Sequence, residues 1–178
     1  MSNPQRISGL IELRLKNVDQ LFNTMDPSPF HERDLDHSAE EFIVSWAKEH
    51  EKDSDLRIRV VLQDKENADI AHRVVESIHR YFDSRAAATD RELKALFREG
   101  RITLLIGLGF LALTKITVRL MPQETTWAVF IGEGLHICGW VALWKPIDIH
   151  LYCWWPLREQ ASLFRRLSRC PVEVVFEH

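Results

Sequence analysis

The chain has 178 residues and a formal net charge of -3, enough for one compact domain or for a small domain with a membrane segment. This charge gives no overall electrostatic attraction to nucleic acid, whose phosphates call for a basic face, so no nucleic-acid partner is expected. The average hides a division: residues 20–90 are rich in charge, whereas residues 102–157 are mostly apolar, and five of the six tryptophans occur at or after Trp127. We therefore expect a soluble part and a membrane part.

Two features indicate the compartment of the soluble part. The N-terminal segment MSNPQRISGL lacks the apolar core of a signal peptide, which predicts a cytoplasmic location. The three cysteines, Cys138, Cys153 and Cys170, are odd in number and show no C-x-x-C spacing. We expect reduced packing residues rather than a disulfide framework or a zinc site. No cofactor and no bound metal are predicted.

Three short segments alternate apolar and polar residues with the period of two that is typical of a half-buried strand. They are residues 10–15, 56–62 and 171–176. In the second segment Leu56, Ile58 and Val60 share one face, and Arg57 and Arg59 share the other. The sequence therefore predicts three strands, two near the start of the chain and one near its end.

A helix is predicted between the first two strands, because apolar residues recur there at helical spacing. They are Phe42, Ile43, Trp46 and Ala47. The preceding Ser38-Ala-Glu-Glu41 has the form of a capping box, in which the Ser38 hydroxyl and the Glu41 carboxylate accept free backbone N–H groups. We therefore expect this helix to begin after Ser38.

A second amphipathic helix is predicted after the second strand. Its apolar positions are Ile70, Val74, Ile78, Tyr81 and Phe82. On its polar face, His72, Glu76 and His79 are expected to be solvated rather than metal ligands. Thr89-Asp-Arg-Glu92 has the form of another capping box, which predicts a separate helix running on into the apolar half.

Two apolar segments are long enough to cross a membrane as helices. They are residues 102–120 and 127–144, joined by the loop MPQETT. Lys115 and Arg119 lie near the far end of the first span, where long side chains can reach the headgroups. The loop carries no Lys or Arg, whereas basic residues precede the first span and follow the second, so both chain ends are expected in the cytoplasm.

The remaining residues are expected to return the chain to the cytoplasmic domain. Pro146 predicts the end of the second span or a kink, and residues 147–155 are expected to lie along the membrane interface. Pro156 suits the first turn of a helix whose arginines can meet anionic headgroups. The expected interfacial anchors are Trp144, Tyr152, Trp154 and Trp155.

The apolar half also admits a soluble interpretation. The runs ITVRL, WAVFI, ICGWVAL and IDIHLY can be strands of a larger sheet, since short apolar runs are ambiguous between helix and strand.

Two stretches carry a resemblance. DPSPFHERDLD at residues 26–36 and GWVALWKPIDIHLYCWWPL at residues 139–157 resemble segments of uncharacterised bacterial membrane proteins of about this length. The resemblance implies a two-span inner-membrane protein with cytoplasmic ends. It implies no activity and no catalytic residue.

Two groups of polar residues are candidate sites. Glu133 and His136 share one face of the second span, where ionisable groups are costly and normally face protein or water. They are interpreted as a polar helix-packing pair or as a proton or metal site. The second group lies between the first strand and the first helix, and its spacing, which fits no calcium or zinc loop, favours docking over ligation. Its members are His31, Glu32, Asp34 and His37.

The sequence thus predicts an α/β fold: a small three-stranded cytoplasmic domain with flanking helices plus a two-helix transmembrane hairpin. The cytoplasmic portion covers residues 1–100, the hairpin covers residues 101–145, and residues 146–178 supply an interfacial segment, an amphipathic helix and the final strand. We expect a nonenzymatic membrane-anchored interaction or assembly subunit, in contact with the lipid bilayer and with further copies or a larger membrane complex. The alternative is a membrane enzyme or transport component that uses Glu133 and His136 to bind a proton or a metal.

Overall fold

A computed structural model describes residues 9–23, 33–51, 54–63, 68–120 and 126–177. Its strands are β1 (Gly9–Leu15), β2 (Leu56–Leu62) and β3 (Val172–Phe176). Its α-helices are α1 (His37–Glu49), α2 (Ala68–Leu120), α3 (Thr126–Asp148) and α4 (Trp154–Leu167), and a π-helical turn, Ile149–Cys153, lies between the last two. The three predicted strands are confirmed.

The strands form a parallel sheet in the order β1-β2-β3. Ile58 of the central strand lies beside Ile11 on one side and beside Val172 on the other. Buried residues of α1, α2 and α4 form one cluster with Ile11, Ile58 and Val60, so these helices pack on the same face of the sheet. The other face carries ion pairs. Arg59 lies 3.1 Å from Glu173 and 3.9 Å from Glu12, measured between the charged side-chain atoms.

The covered face of the sheet carries the hydrophobic core. Ile11, Ile58 and Val60 are fully buried, and α1, α2 and α4 each add a stripe of buried side chains. Phe82 of α2 and Phe164 of α4 stack with ring centroids 6.1 Å apart. The strand pattern therefore predicted the inward-facing residues correctly, because alternation of side chains leaves one face for the core.

The chain divides into two compact units. Residues 1–88 and 160–178 form the first unit, which holds the sheet, and residues 89–159 form the second. The first unit is thus built from two separate pieces of sequence. The second contains the later part of α2, α3 and the π-helical turn.

Both predicted capping boxes are wrong. Thr89 is buried inside α2, which continues without a break from Ala68 to Leu120. Residues 83–88, DSRAAA, contain neither Gly nor Pro, so nothing there interrupts the helix. At α1 the cap is Asp36, whose Oδ1 accepts the backbone N–H of Ser38 at 2.9 Å.

Two further expectations need correction. His79 is not a solvated outer residue, because its Nε2 donates to the carbonyl oxygen of Cys170 at 2.9 Å. Pro146 lies inside α3, which ends two residues later at Asp148, so the proline does not end the helix, and the predicted kink stays a prediction. The alternative assignment of strands to the apolar half is also wrong, since residues 102–120 and 126–148 are helical.

One helix in the described part of the chain is long and apolar enough to cross a membrane. It is α2, over Asp69–Leu120, with a mean hydropathy of 1.7 in its most apolar 18-residue window, of which 11% is buried. The described residues of α3 do not meet the same criterion. The second span of the hairpin therefore stays a prediction.

Candidate functional site

Glu133 and His136 do not bond to each other. The indole Nε1 of Trp140 donates to His136 Nε2 at 3.3 Å, so one of the two imidazole nitrogens already has a partner. Glu133 is exposed on α3, and its carboxylate forms no hydrogen bond or ion pair with any described residue. The predicted pair is thus two neighbouring residues in different environments.

Glycines mark where α2 and α3 touch. A Cβ added at Gly107 would lie 2.8 Å from Leu143 Cδ2, and one added at Gly132 would lie 3.3 Å from Val118 Cγ2. Between them, Gly139 sits against the side chain of Leu111. As the residue number rises along α2, the number of the contacting residue in α3 falls. The two helices therefore run antiparallel where they pack.

The same register fixes the heights of the charged residues along the common axis of the two helices. We call this height the level of a residue. The register places Lys115 of α2 opposite residue 135 of α3, and Arg119 opposite residue 131. Glu133 therefore lies between the two cations in level. No ion pair joins Glu133 to Lys115 or Arg119 in the described part of the chain.

These three residues also share one side of the helix pair. An α-helix turns about 100° per residue, so Lys115 and Arg119 are offset by about 60–100° from the side of α2 that faces α3. Glu133 is offset by about 100° from the side of α3 that faces α2, again counted around the helix in the direction of increasing residue number. Because the helices are antiparallel, equal offsets bring all three side chains to the same side. We call Lys115, Arg119 and Glu133 the charged layer.

Large apolar side chains surround Glu133 on the surface of α3. Ile137, Trp140 and Trp144 follow it at spacings of three or four residues, so they share its face, and Trp144 is 74% exposed. An exposed face of this composition is unusual for a protein surface in water. It suits lipid or another protein.

The predicted anchors fall into two groups. Trp144, Tyr152 and Trp155 are exposed. Trp154 is instead packed: its ring centroid lies 6.4 Å from that of Phe97 and 5.7 Å from Cζ of Arg158, and its Nε1 donates to the carbonyl oxygen of His150 at 3.0 Å. Trp154 therefore has a packing role within its unit.

The predicted docking loop is only partly described. His31 and Glu32 lie outside the described residues. Asp34 is exposed and its backbone oxygen accepts Asn23 N–H at 2.9 Å, while His37 is the exposed first residue of α1. Among the residues that the structure describes, no group of three or more His, Cys, Asp or Glu is arranged to hold a metal ion.

Protein-family models, curated proteins and solved structures were compared with the chain. None matches. The resemblance to bacterial two-span membrane proteins therefore stays a prediction.

Sequence reasoning missed a polar cluster inside the first unit. Tyr81 donates its hydroxyl proton to Glu40 Oε2 at 2.8 Å, and Arg85 Nε donates to Glu40 Oε1 at 2.9 Å. Burial, together with the hydrogen bond and charge of Glu40, raises the pKa of Tyr81 well above its usual range. Both partners of Glu40 lie more than forty residues further along the chain, so local sequence patterns do not indicate this cluster.

Four arginines around one cavity were also missed as a group. They are Arg57, Arg165, Arg166 and Arg169, and the cavity has a volume of about 520 Å³. The last three are close in sequence, but Arg57 stands on β2. The available signal was the run of basic residues near the end of α4.

Proposed function

We propose that the protein is a nonenzymatic assembly subunit of a membrane complex, anchored in the bacterial inner membrane by α2 and α3 with both chain ends in the cytoplasm. Its nearest partner is a second copy of the same chain. The observation that carries the proposal is the charged layer. One copy presents an unpaired carboxylate and two cations at the same level on an apolar surface.

The exposed apolar surface supports a membrane location. In the most apolar 18-residue window of α2 only 11% of the residues are buried. Most of the described residues of α3 are exposed as well. Leu105 is 69% exposed and Phe130 is 70% exposed. Hydrocarbon chains or other apolar helices are the environments in which such a surface is stable.

The charged layer then needs a partner. An ionised carboxylate on a membrane helix is costly unless it faces a cation, a hydrogen-bond donor or water. Within one copy, Glu133 is bonded to neither Lys115 nor Arg119. A partner that presents cations at the level of Glu133 would remove this cost.

A second copy has that property by symmetry. Two copies in the same membrane orientation are related by a two-fold axis along the membrane normal. If their charged sides meet, α2 of each copy faces α3 of the other. Glu133 then lies beside Lys115 and Arg119 of the partner copy, at the same level, and the contact occurs twice. Interactions of this kind fix which helices pair and in which register.

Charge reversal in separate copies tests this arrangement. One tagged chain carries Glu133→Lys, so its layer is entirely positive, and a chain with a different tag carries Lys115→Glu and Arg119→Glu, so its layer is entirely negative. We expect neither variant to associate with itself and the two to associate with each other. The measurement is co-purification of the two tags from membranes in a mild detergent.

Lys145→Glu is the matched control, because it reverses a charge on α3 outside the charged layer. Chains with this change are expected to self-associate like the unaltered protein. A strictly monomeric unaltered protein would contradict the proposal. Undiminished self-association of the Glu133→Lys chain would contradict it as well.

A further inference from the structure

We propose that the four arginines around the 520 Å³ cavity of the first unit form a binding site for a phosphate-bearing ligand. We call this cavity the arginine pocket. It lies where β2 and β3 begin and α4 ends, and Ser54, Asp55 and Ser162 also line it. The site does not depend on the assembly role, because all of its residues belong to the first unit.

The charge of the lining points to an anion. The lining contains four guanidinium groups and one carboxylate, that of Asp55, so it carries a surplus of positive charge. Arginine stays charged at any ordinary pH and offers several donors in a planar arrangement that matches phosphate oxygens. Like charges gathered in one cavity repel, and a bound polyanion relieves that repulsion.

Two of the guanidinium groups are not used in the fold. The side chains of Arg57 and Arg169 form no hydrogen bond or ion pair with any described residue. They approach the cavity from β2 and from the end of α4, and both residues are exposed. Their donors are therefore available to a ligand.

Arg166 has a different role, which is to fix the position of the chain that lines one side of the arginine pocket. Its Nη2 donates to the carbonyl oxygens of Ser54 at 2.9 Å and of Glu51 at 3.2 Å. Ser54 also donates its own backbone N–H and hydroxyl to the Glu51 carbonyl. The segment that precedes β2 is thereby fixed to α4, so one side of the site is already in place before a ligand binds.

The ordinary explanation for basic residues at a helix end is that they cap its carbonyl groups. Here local groups already bond three of those carbonyl oxygens: Ser168 N–H bonds that of Phe164, the Ser168 hydroxyl bonds that of Arg165, and Arg169 N–H bonds that of Arg166. Capping therefore does not account for the arginine side chains.

The phosphate can come from a soluble phosphorylated molecule or from the headgroup of an anionic phospholipid. We would measure binding of radiolabelled inorganic phosphate to the purified full-length protein in a nonionic detergent. Displacement by glycerol phosphate, a soluble monoester, is then compared with displacement by glycerophosphoglycerol, the diester headgroup of phosphatidylglycerol without its acyl chains. Stronger displacement by the monoester indicates the soluble source, and stronger displacement by the diester indicates the lipid; both outcomes support the site.

The decisive variant is Arg57→Gln with Arg169→Gln, since neither side chain has a partner whose loss would unfold the unit. We expect saturable phosphate binding that weakens about tenfold or more in this variant, because charge-assisted hydrogen bonds to phosphate are lost. Arg14→Gln with Arg73→Gln removes the same charge from the surface elsewhere and should bind phosphate like the unaltered protein. Absence of saturable binding, or equal binding by the two double variants, would overturn the proposal.

Discussion

The hydroxyl of Tyr81 donates to the buried carboxylate of Glu40 across 2.8 Å, and this bond ties α2 to α1 on the covered face of the sheet. Arg85, one turn further along α2, bonds the other carboxylate oxygen. Its guanidinium also lies 5.4 Å from the ring centroid of Phe164 of α4. Glu40 of α1 is thus linked directly to α2 and, through Arg85, to α4.

Replacement of Tyr81 by Phe should lower the free energy of unfolding by about 1–2 kcal/mol, because Glu40 loses a donor in a buried position. The measurement is denaturant unfolding of the purified protein at neutral pH. Phe42→Leu, an exposed change on the outer side of α1, is the control and should stay close to the unaltered protein. Equal stability of the Tyr81→Phe chain and the control would contradict a role for the bond.

The same residue predicts a dependence on alkaline pH. The pKa of Tyr81 is raised in the folded state above its value of about 10 in an unfolded chain. Its contribution to stability is therefore complete below pH 10 and is lost as the pH rises above that value, because the unfolded chain releases the phenolic proton first. Tyr81→Phe should remove this part of the decline above pH 10, whereas an unchanged slope would show that other groups cause it.

The glycines of α2 and α3 predict opposite effects of one substitution. Gly139→Leu places a side chain where Leu111 already lies and should force the helices apart. Gly134→Leu meets nothing within 4 Å, and should be tolerated or mildly stabilising because glycine weakens a helix interior by about 0.5–1 kcal/mol. Thermal unfolding in detergent compares the two. Similar loss in both chains would mean that α2 and α3 do not pack at Gly139.

Glu133 and His136 should differ in their effect on assembly. Glu133→Gln removes the charge from the charged layer and should weaken self-association. His136→Ala removes only the acceptor of the Trp140 indole and should leave self-association largely intact. A metal site that uses both residues would instead be disabled equally by either change, and the purified protein would then release metal on treatment with a chelator.

The two-fold arrangement can be tested by a site-specific cross-link. Ala112 and Ile137 lie on the charged side of the helix pair at nearly equal levels, in α2 and α3. With Cys138 replaced by Ser, a chain carrying Ala112→Cys should cross-link through a short bis-maleimide to a separately tagged chain carrying Ile137→Cys. Ala142→Cys in place of Ile137→Cys is the control, because Ala142 is exposed and lies about 140° away from Ile137 around α3. Cross-linking with equal yield from both positions would exclude the proposed face.

Local patterns predicted the fold better than they predicted the sites. The alternation around Ile58 was sufficient to identify β2 and its buried face, since burial follows directly from the period of two. The most serious error was at Thr89. The sequence there has the form of a capping box, but the preceding residues contain neither Gly nor Pro, so the helix continues through it. Glu40 and Arg57 depend on partners far along the chain, and a single sequence carries no signal for such pairs.

The third strand reaches the sheet late in synthesis. Arg59 and Glu173, which pair across β2 and β3, are 114 residues apart in sequence. At about 5–20 residues per second, roughly 6–23 seconds separate the emergence of these two strands from the ribosome. During that interval the edge of β2 that will receive β3 has unpaired backbone groups, which readily pair with other chains. A nascent chain that pauses over its apolar helices therefore remains exposed to aggregation and proteolysis until the last strand arrives.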